Sequence, residues 1–485
     1  MVMTEDSRNA RPVRADLAII GSGSGNSLLT DHWSDKSVVI AEKGVFGGTC
    51  LNVGCIPTKM FVRPAEIARS GEEAARLNVT MQTTGVDWAG MRDRIFARID
   101  PISRGGRAFR ADTQDNVELV EEQVRLTGHT SWISASGEEI AAQQMVIAAG
   151  SRAVVPDVPG AGLPQVHTSD TVMRLDEQPE RILIVGGGYI ACEFAAIFSG
   201  LGTAVTQVNR SAPLMKSADE EISRAFSAQA ERNWDVRYGH TLHEVLPAES
   251  GKGVRARTAT AQGGIEEHDV DVVLIALGRR PNTDLIGAAE AGLDLHADGR
   301  LAVDEYQRVL AGGSPVAGLY ALGDISSPHM LKHVANHEAR VVAHNLENPA
   351  ALRSSTLNAV PAAVFTHPEI AEVGMTEAEA ALDRGAEHIT VKVQQYGDTA
   401  YGWAMEDSEG IYKVIADRRT GEILGGHVLG YQASLLIQPV VQAMSFGQDA
   451  YTAARGQYWI HPALMEVAEN ALLGLDVPLS AEPPL

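Results

Sequence analysis

The residues best suited to chemistry in this sequence are Cys50 and Cys55, in the glycine-rich stretch FGGTCLNVGCIPTK. The chain has only 3 cysteines among 485 residues. Residues five apart in a regular α-helix have Cα atoms about 8–9 Å apart, whereas a disulfide normally needs less than about 7 Å. Gly54 allows an irregular turn, and Pro57 suits the first turn of a following helix. We therefore predict a linked, reversible pair at an irregular helix start, where the helix N-terminus favours the reactive thiolate.

Cysteine and histidine also have other uses, which stay open at this point. Cysteine is often a small buried hydrophobe, and this is the expected state of Cys192 in the apolar run IACEFAA. Two cysteines could bind a metal, but no second pair has zinc-site spacing. His329, His333 and His337 are spaced to share one face of a helix, so a metal site there is an alternative. No carboxylate motif accompanies them, and an exposed or hydrogen-bonded histidine face is the favoured interpretation.

Two glycine clusters predict dinucleotide sites. The first, GSGSGN, places Gly21, Gly23 and Gly25 directly after the apolar run ADLAII. Glycine is needed where the turn is tight and where the backbone approaches a pyrophosphate, which then faces the next helix N-terminus. Glu42 follows about 20 residues on, where a carboxylate would meet ribose hydroxyls. Asn26 replaces the third glycine of the fingerprint, which predicts looser packing between helix and strand.

The second cluster, GGGYIA, has Gly186, Gly188 and Ala191 at the fingerprint spacing. The strand after it ends without an acid, and Arg210 and Lys216 follow. A 2′-phosphate would be repelled by a carboxylate and attracted by an arginine. The second site is therefore predicted to prefer NADPH over NADH. Taken alone, Arg210 or Lys216 could equally be a solvated charge on the surface, and this alternative stays open.

Each glycine cluster lies within the same succession of an apolar strand, a turn, a helical apolar period and a second strand. Two such β–turn–α–β units predict an α/β protein with two Rossmann-like dinucleotide-binding domains. Beyond Pro349 the pattern changes to a mixed succession of strands and helices, which predicts a C-terminal α+β domain. The predicted boundaries are 1–155, 156–285, 286–348 and 349–485, with the first and third segments forming one domain.

Composition argues against several classes of protein. Hydrophobic residues make up 45% and charged residues 21%, as in ordinary globular chains. The net charge of −22 argues against nucleic acid or an anionic membrane as a partner. The apolar stretch 182–201 is interrupted by glycines and Glu193, which favours strand, turn and helix over a membrane span. The polar segment 1–14 is not followed by the apolar core of a signal peptide. We expect a soluble, cytoplasmic enzyme.

With these motifs in view, the sequence resembles the flavoprotein disulfide reductases, the family of glutathione reductase and dihydrolipoamide dehydrogenase. Besides GGTCLNVGCIPTK, the matching stretches are AAGSR, GGGYIA, GRRPN, ALGD, VFTHPEIAEVG and YWIHPALMEVAEN. The resemblance spans nearly the whole chain. It implies FAD in segments 1–155 and 286–348, NADPH in 156–285, and an interface and dimerisation domain in 349–485.

The resemblance also implies roles for residues that contact the cofactors. Lys59 and Glu193 match an ion pair beside the reactive nitrogen of the flavin; an ordinary buried salt bridge is the alternative. Tyr189 matches a residue that gates the nicotinamide, and Arg210 and Lys216 match residues that hold the 2′-phosphate. Further positions implied to bind a cofactor are Gly48, Thr49, Gly150, Ser151, Gly278, Arg279, Gly323 and Asp324.

The resemblance implies that electrons pass from NADPH through FAD to the Cys50–Cys55 disulfide. Cys55 corresponds to the sulfur beside the flavin. Cys50, expected to be the more exposed, attacks the substrate disulfide, and Cys55 resolves the mixed disulfide. His461 corresponds to the acid–base residue, with Glu466 orienting its imidazole. In relatives this histidine reaches the cysteines of the other subunit, so we expect a homodimer.

Within the family the sequence has mixed features. CIPTK and LKHVANHEA look like dihydrolipoamide dehydrogenase, whereas Tyr189, Arg210 and Lys216 match the glutathione reductase pattern. GSGSGNSLL, CIPTKMFV, LKHVANHEARVVAHNL, YGWAMED and ARGQYWIHPAL are similar to the mycothione reductases. These enzymes reduce the disulfide of mycothiol, a small thiol that replaces glutathione in some bacteria. We therefore expect NADPH-dependent reduction of mycothione.

Four alternatives stay open. One is dihydrolipoamide dehydrogenase, against which Asn209 and Arg210 argue, and another is a reductase of a different low-molecular-weight disulfide. A mercuric reductase is disfavoured because the tail LLGLDVPLSAEPPL has no cysteine pair. A flavin-binding scaffold without enzymatic activity is disfavoured because Cys50, Cys55 and His461 are all present.

Overall fold

The structure, a computed structural model, describes residues 13–249 and 251–479. The N-terminal segment considered for a signal peptide lies almost entirely outside the described residues, as does the end of the C-terminal tail. The chain divides into two compact units. As far as it is described, the first comprises Met1–Thr58, Gly90–Val154 and Arg279–Thr356, and the second comprises Lys59–Ala89, Val155–Gly278 and Leu357–Leu485. The assignment of the predicted domains to individual cofactors stays a prediction.

The elements follow one another in mixed order along the chain. The strands are β1 (Val13–Ile20), β2 (Val38–Ala41), β3 (Val117–Val120), β4 (Val124–Gly128), β5 (Ser131–Ser134), β6 (Glu139–Ile147), β7 (Ser151–Ala153), β8 (Val166–His167), β9 (Arg181–Val185), β10 (Ala204–Asn209), β11 (Asp235–Tyr238), β12 (His240–Pro247), β13 (Val254–Thr260), β14 (Ile265–Val270), β15 (Val272–Ile275), β16 (Arg279–Pro281), β17 (Arg308–Ala311), β18 (Ser314–Ala321), β19 (Pro361–Val364), β20 (Glu369–Gly374), β21 (Ile389–Gln395), β22 (Ile411–Asp417) and β23 (Ile423–Gly430). The α-helices are α1 (Gly48–Asn52), α2 (Cys55–Arg76), α3 (Trp88–Ala108), α4 (Tyr189–Gly200), α5 (Glu220–Asn233), α6 (Lys332–Glu347), α7 (Glu377–Arg384), α8 (Ala400–Ala404), α9 (Ala433–Leu436), α10 (Gln438–Ser445), α11 (Ala450–Arg455) and α12 (Glu466–Leu473). Short 3-10 helices lie at Ser24–Leu28, Asp31–Trp33, Val172–Arg174, Gly323–Ile325, Ala386–His388 and Tyr396–Asp398, and a π-helical turn lies at Phe109–Thr113.

The first unit is built on a mainly parallel sheet in the order β17-β18-β6-β1-β2-β3. The central strand β1 pairs in parallel with β2 and with β6. Its residues Leu17 and Ile19 pack into one core cluster, and Ala18 and Ile20 pack into another. Burial on both faces explains why the strand is an almost continuous apolar run. The carboxyl ends of β1, β2, β6 and β18 therefore meet at one edge, where an open parallel sheet binds its ligand.

Between β1 and β2 the predicted α-helix is absent, and the 3-10 helices Ser24–Leu28 and Asp31–Trp33 take its place. Local side chains compete there for backbone groups that an α-helix would use: Ser27 Oγ donates to the Ser24 carbonyl at 2.7 Å. The predicted loose packing at Asn26 is also wrong. A Cβ on Gly25 would stand 2.9 Å from Ile19 Cγ2, so Gly25 supplies the close helix–strand approach one position earlier in this tighter helix.

The second unit contains a five-stranded parallel sheet in the order β11-β10-β9-β15-β8. Here α4 connects β9 to β10, which confirms the predicted strand, turn and helix over the apolar stretch 182–201. A second, antiparallel sheet in the order β19-β20-β23-β22-β21 follows, and helices α9 to α12 pack on it around Tyr396, Tyr412 and Val467. Within 13–249 and 251–479, every helix is too short or too polar to cross a bilayer.

Candidate active site

The two cysteines lie on either side of a break between two helices. Cys50 is inside α1, and Cys55 is the first residue of α2. Val53 ends α1 with φ −143° and ψ 9°, although its N–H still donates to the Thr49 carbonyl at 3.0 Å. A Cβ on Gly54 would stand 3.0 Å from that same carbonyl oxygen and 3.4 Å from Cys50 Cα, so glycine favours this close approach. The predicted irregular helix start is confirmed.

The two thiols are in hydrogen-bonding contact. This hydrogen bond with the Cys55 side chain is the main cause that raises the pKa of the Cys50 thiol, followed by burial, while the Lys332 ammonium opposes both. No covalent bond joins the sulfurs, so the structure represents the dithiol form, and the disulfide of the oxidised form stays a prediction. Cys55 is exposed and Cys50 is half-buried. The expectation that Cys50 is the more exposed is therefore wrong for the single chain, because Cys55 opens its helix at the surface.

Lys332 is a residue near the cysteines that the sequence reasoning missed. It is the first residue of α6, and its Nζ donates to Ser24 Oγ at 2.8 Å. Gly23, next to Ser24, lies against the start of α1, since a Cβ on Gly48 would stand 2.7 Å from Gly23 Cα. The packing of these segments brings a positive charge close to Cys50. Nothing in the local sequence around Lys332 indicates this neighbour.

Lys59 and Glu193 form the predicted ion pair. Lys59 Nζ lies 2.5 Å from Glu193 Oε1, and the side chains are 33% and 9% exposed. The same carboxylate oxygen accepts the backbone N–H of Phe365 at 2.9 Å. Lys59 Nζ also lies 4.2 Å from the centroid of the Phe365 ring, a favourable distance for a cation–π contact. The carboxylate thus holds the ammonium in one place.

The first glycine cluster forms a tight turn at the carboxyl end of β1. Gly21 has φ +105°, and a Cβ there would stand 2.2 Å from the Ala148 carbonyl oxygen, so only glycine fits. Glu42, directly after β2, accepts hydrogen bonds from the backbone N–H of Ser22 at 2.9 Å and from its Oγ at 2.6 Å. Its other oxygen accepts the N–H of Gly44 at 2.8 Å. Hydrogen bonds therefore connect the predicted carboxylate directly to the predicted glycine turn.

Three predicted residues that are far apart in the sequence form one hydrogen-bonded chain. Arg279 Nε donates to Ser151 Oγ at 2.8 Å, and Ser151 Oγ donates to Asp324 Oδ2 at 2.6 Å. The N–H of Gly323 donates to Glu338, a carboxyl that the sequence reasoning missed, at 2.7 Å. Burial raises the pKa of Glu338 to about 7. Of the other implied positions, Thr49 is exposed in α1, and the glycines with positive φ are Gly48, Gly150, Gly278 and Gly323.

The second glycine cluster has the same construction at the end of β9. Gly186 has φ +134°, and a Cβ there would stand 2.3 Å from the Ala276 carbonyl oxygen. Gly188 precedes α4, and no atom lies within 4 Å of the position a Cβ would take. Ala191 is fully buried against the sheet, whereas Tyr189, the first residue of α4, is 47% exposed. The turn thus leaves open backbone before an α-helix, as a dinucleotide site requires.

Arg210 and Lys216 lie where the sequence predicted a 2′-phosphate site. Arg210 directly follows β10, and both side chains are exposed. Neither forms an ion pair with any residue in the described ranges. Two cations without a protein counterion, next to the glycine turn, are available to an anionic ligand.

His461 and Glu466 are in contact, as predicted. His461 Nδ1 lies 2.6 Å from Glu466 Oε1, and the side chains are 71% and 15% exposed. Glu466 is the first residue of α12, so the helix fixes the backbone that carries its carboxylate. The bond to Nδ1 leaves Nε2 of the imidazole to exchange a proton with another molecule.

The structure also shows where the third cysteine and the three spaced histidines lie. Cys192 is fully buried, and burial raises the pKa of its thiol to about 12, which confirms it as a small hydrophobe. His329 precedes α6, whereas His333 and His337 lie within it, so the three residues do not share one helix. In the part of the chain that the structure describes, no group of three His, Cys, Asp or Glu residues is arranged to hold a metal ion.

With this geometry established, comparison with known proteins defines the class. The family profile for the pyridine nucleotide-disulphide oxidoreductases matches residues 15–339, and the profile for their dimerisation domain matches residues 360–472. The chain belongs to the pyridine nucleotide-disulphide oxidoreductase family. The predicted α/β fold, with two nucleotide-binding domains and a C-terminal interface domain, is therefore confirmed.

Individual relatives are similar over almost the whole chain. Mycothione reductase from Mycobacterium tuberculosis is 48% identical over 469 residues, which cover 95% of this chain and 99% of that protein. Glutathione reductase from Burkholderia cepacia is 32% identical, covering 93% and 97%. Among solved structures, the HOCl-induced flavoprotein disulfide reductase RclA from Escherichia coli has a TM-score of 0.80 at 25% identity, covering 95% and 99%.

The chain is thus an oxidoreductase of the class that uses FAD and NAD(P)H. Its residues fit both groups. Gly21 and Gly186 stand so close to the carbonyl groups of Ala148 and Ala276 that only glycine fits, as the tight turn of a dinucleotide site requires. Glu42 is held at the end of β2 by three donors, as a carboxylate for ribose hydroxyls requires.

Proposed function

We propose that this enzyme reduces mycothione to mycothiol with NADPH as the electron donor. The observation that carries the proposal is the 48% identity, over 95% of the chain, to a protein named mycothione reductase. The contact between the thiols of Cys50 and Cys55 supports it, because this chemistry needs two cysteines that can form and break a disulfide. Bound FAD would supply the two-electron relay between the nicotinamide and this cysteine pair.

The two cysteines carry out thiol–disulfide exchange. The Cys50 thiolate attacks one sulfur of mycothione, forms a mixed disulfide and releases the first mycothiol as a thiolate. The Cys55 thiolate then attacks the sulfur of Cys50, releases the second mycothiol and restores the Cys50–Cys55 disulfide. A hydride from NADPH together with one proton would supply the two electrons and two protons that return this disulfide to the dithiol. The exposed position of Cys55 is consistent with its proposed place beside the flavin, since another molecule can reach this sulfur.

His461 is the proposed acid that protonates the leaving thiolates. Its Nδ1 is held by Glu466 at 2.6 Å, which leaves the other ring nitrogen of this exposed side chain to exchange a proton. The match to the family's dimerisation domain supports a homodimer, and His461 is proposed to act across its interface. The high exposure of His461 in the single chain is consistent with a role toward another subunit.

The remaining implied residues are proposed to bind the cofactors. Lys59, held by Glu193, keeps a fixed positive charge in the flavin site. Asp324 and Ser151, joined by a hydrogen bond, are proposed to meet the ribityl and neighbouring polar groups. Segments 1–155 and 286–348 then form the FAD domain, 156–285 the NADPH domain, and 349–485 the interface domain. We also propose a cytoplasmic location.

The test compares two donors and three disulfides with the purified yellow protein. Mycothione with NADPH is expected to give the highest kcat/KM, above NADH and above lipoamide or glutathione disulfide. Arg210 and Lys216 are the reason to expect NADPH, because both cations are open to a 2′-phosphate. Efficient turnover of lipoamide with NADH would instead identify a dihydrolipoamide dehydrogenase and overturn the proposal.

A further inference from the structure

A buried ionic cluster lies in the second unit. Lys413 of β22 is 2% exposed, and its Nζ lies 2.8 Å from Asp219, 2.7 Å from Glu377 and 3.3 Å from Glu221. Asp219 is itself 1% exposed. A lysine is almost never buried unless it is paired, because the unpaired charge is costly to remove from water. Lys413 is therefore stabilised in its buried position by these carboxylates, of which Asp219 is the buried one.

Asp219 joins three elements through its two carboxylate oxygens. Oδ1 accepts the N–H of Glu221 at 3.1 Å, which makes Asp219 the N-cap of α5. The same oxygen accepts Nζ of Lys413 at 2.8 Å, and Oδ2 accepts the N–H of Glu377, at the start of α7, at 3.0 Å. Contacts from β22 and α7 therefore fix the position of Asp219, the residue directly before α5.

The segment 210–219 is fixed at two further points. The N–H of Met215 donates to the carbonyl of Gly187, inside the second glycine turn, at 2.8 Å. The N–H of Leu214 donates to Ser227 Oγ of α5 at 2.9 Å. Lys216 lies between these contacts and Asp219, while Arg210 precedes them. The two cations proposed for the 2′-phosphate are therefore carried by a segment held at the glycine turn, at α5 and at Lys413.

We propose that Lys413 is a positioning residue for NADPH recognition. By holding Asp219, it fixes the far end of the segment that carries Arg210 and Lys216 and keeps both cations in place before the coenzyme binds. Pre-organised charges bind more tightly because less conformational entropy is lost on association. The inference rests on the proposed function in one respect only, the assignment of Arg210 and Lys216 to the 2′-phosphate.

The test uses Lys413→Met and two probes that differ by the phosphate alone, 2′,5′-ADP and 5′-AMP. The dissociation constant of 2′,5′-ADP is expected to rise about tenfold, with little change for 5′-AMP. In turnover, KM for NADPH is expected to rise by a similar factor while kcat and KM for NADH stay near wild type. Lys413→Arg, which keeps the buried charge, is expected to restore most of the selectivity. Arg418→Met, which removes an exposed ion pair to Asp476 in the same unit, is the matched control.

Equal losses for both probes would show a purely structural role and overturn the inference. If Lys413→Met does not fold, Asp219→Asn takes its place, because asparagine keeps the N-cap while the charge pair is lost. Arg210→Ala separates this inference from the proposed function. A selective loss of 2′,5′-ADP in that variant, with none in Lys413→Met or Asp219→Asn, would refute only the role of Lys413. Absence of mycothione turnover would refute the proposed substrate and leave these binding results intact.

Discussion

Replacing His461 by alanine is expected to remove the proton donor for the leaving thiolates without disturbing electron entry. General acid–base catalysis contributes about 10²–10⁴-fold to rate, so kcat with mycothione is expected to fall by that factor. Turnover of NADPH with ferricyanide, which needs no thiol protonation, is expected to stay at the wild-type rate. The contrast between the two acceptors isolates the step that His461 performs.

The structure also indicates how strongly replacement of Glu466 should lower kcat. Its pair with His461 is one hydrogen bond of 2.6 Å, and the imidazole is 71% exposed. Exposed ion pairs contribute about 0.2–1 kcal/mol, and about 1 kcal/mol corresponds to roughly fivefold in rate. Glu466→Gln keeps a hydrogen-bonding group and loses the charge, so we expect at most about a fivefold decrease in kcat. The two variants should therefore differ by at least an order of magnitude.

The assay measures initial rates of NADPH oxidation with mycothione and with ferricyanide at saturating concentrations of each. His388→Ala is the matched control, since His388 is also a histidine beside a glutamate, with its side chain 40% exposed and 3.5 Å from Glu387. Retention of more than about a tenth of the mycothione rate in His461→Ala would refute the role of this histidine as the acid. An equally large loss in Glu466→Gln would refute the argument that Glu466 only orients the imidazole.

Three further predictions concern the thiols and a buried carboxyl. Cys50→Ser is expected to abolish mycothione turnover while reduction of the bound flavin by NADPH, followed by absorbance, persists; residual mycothione reduction would contradict the exchange mechanism. Iodoacetamide at pH 8 is expected to label the exposed Cys55 in the reduced native enzyme and to spare Cys192, which is fully buried and whose pKa is raised to about 12 by burial, as mass spectrometry can check. Burial raises the pKa of Glu372 to about 7 from 4.5, so the folded state binds its proton more tightly and stability falls as pH rises between these values. Glu372→Gln is therefore expected to be more stable than wild type at pH 8, by up to about 3 kcal/mol, and equal at pH 4. Urea unfolding measures this difference, with Glu249→Gln at a 90% exposed position as control, and an equal gain at both pH values would contradict the assignment.

Features that depend on neighbours along the chain could be read directly from the sequence. The break between Cys50 and Cys55 was predictable because Gly54 permits an irregular turn and Pro57 suits the first turn of the next helix. The glycine turns were predictable for the same reason, as Gly21 and Gly186 occupy conformations that other residues avoid. The connection after β1 was predicted wrongly, because its hydrophobic spacing suits an α-helix while its serines bind the local backbone instead.

Tertiary structure alone decided which distant residues meet. The resemblance to a family indicated that Lys59 pairs with Glu193, but nothing in either local sequence does so. The sequence did not predict three other contacts: Lys332 with Cys50, Glu338 with Gly323, and Lys413 with Asp219. A buried charge or polar group is stable only where packing supplies its partner, and packing of β-strands and helices from separate segments determines that partner. The sequence by itself thus determined the local turns and the reactive residue types, whereas the charges that surround and position them follow from the assembled fold.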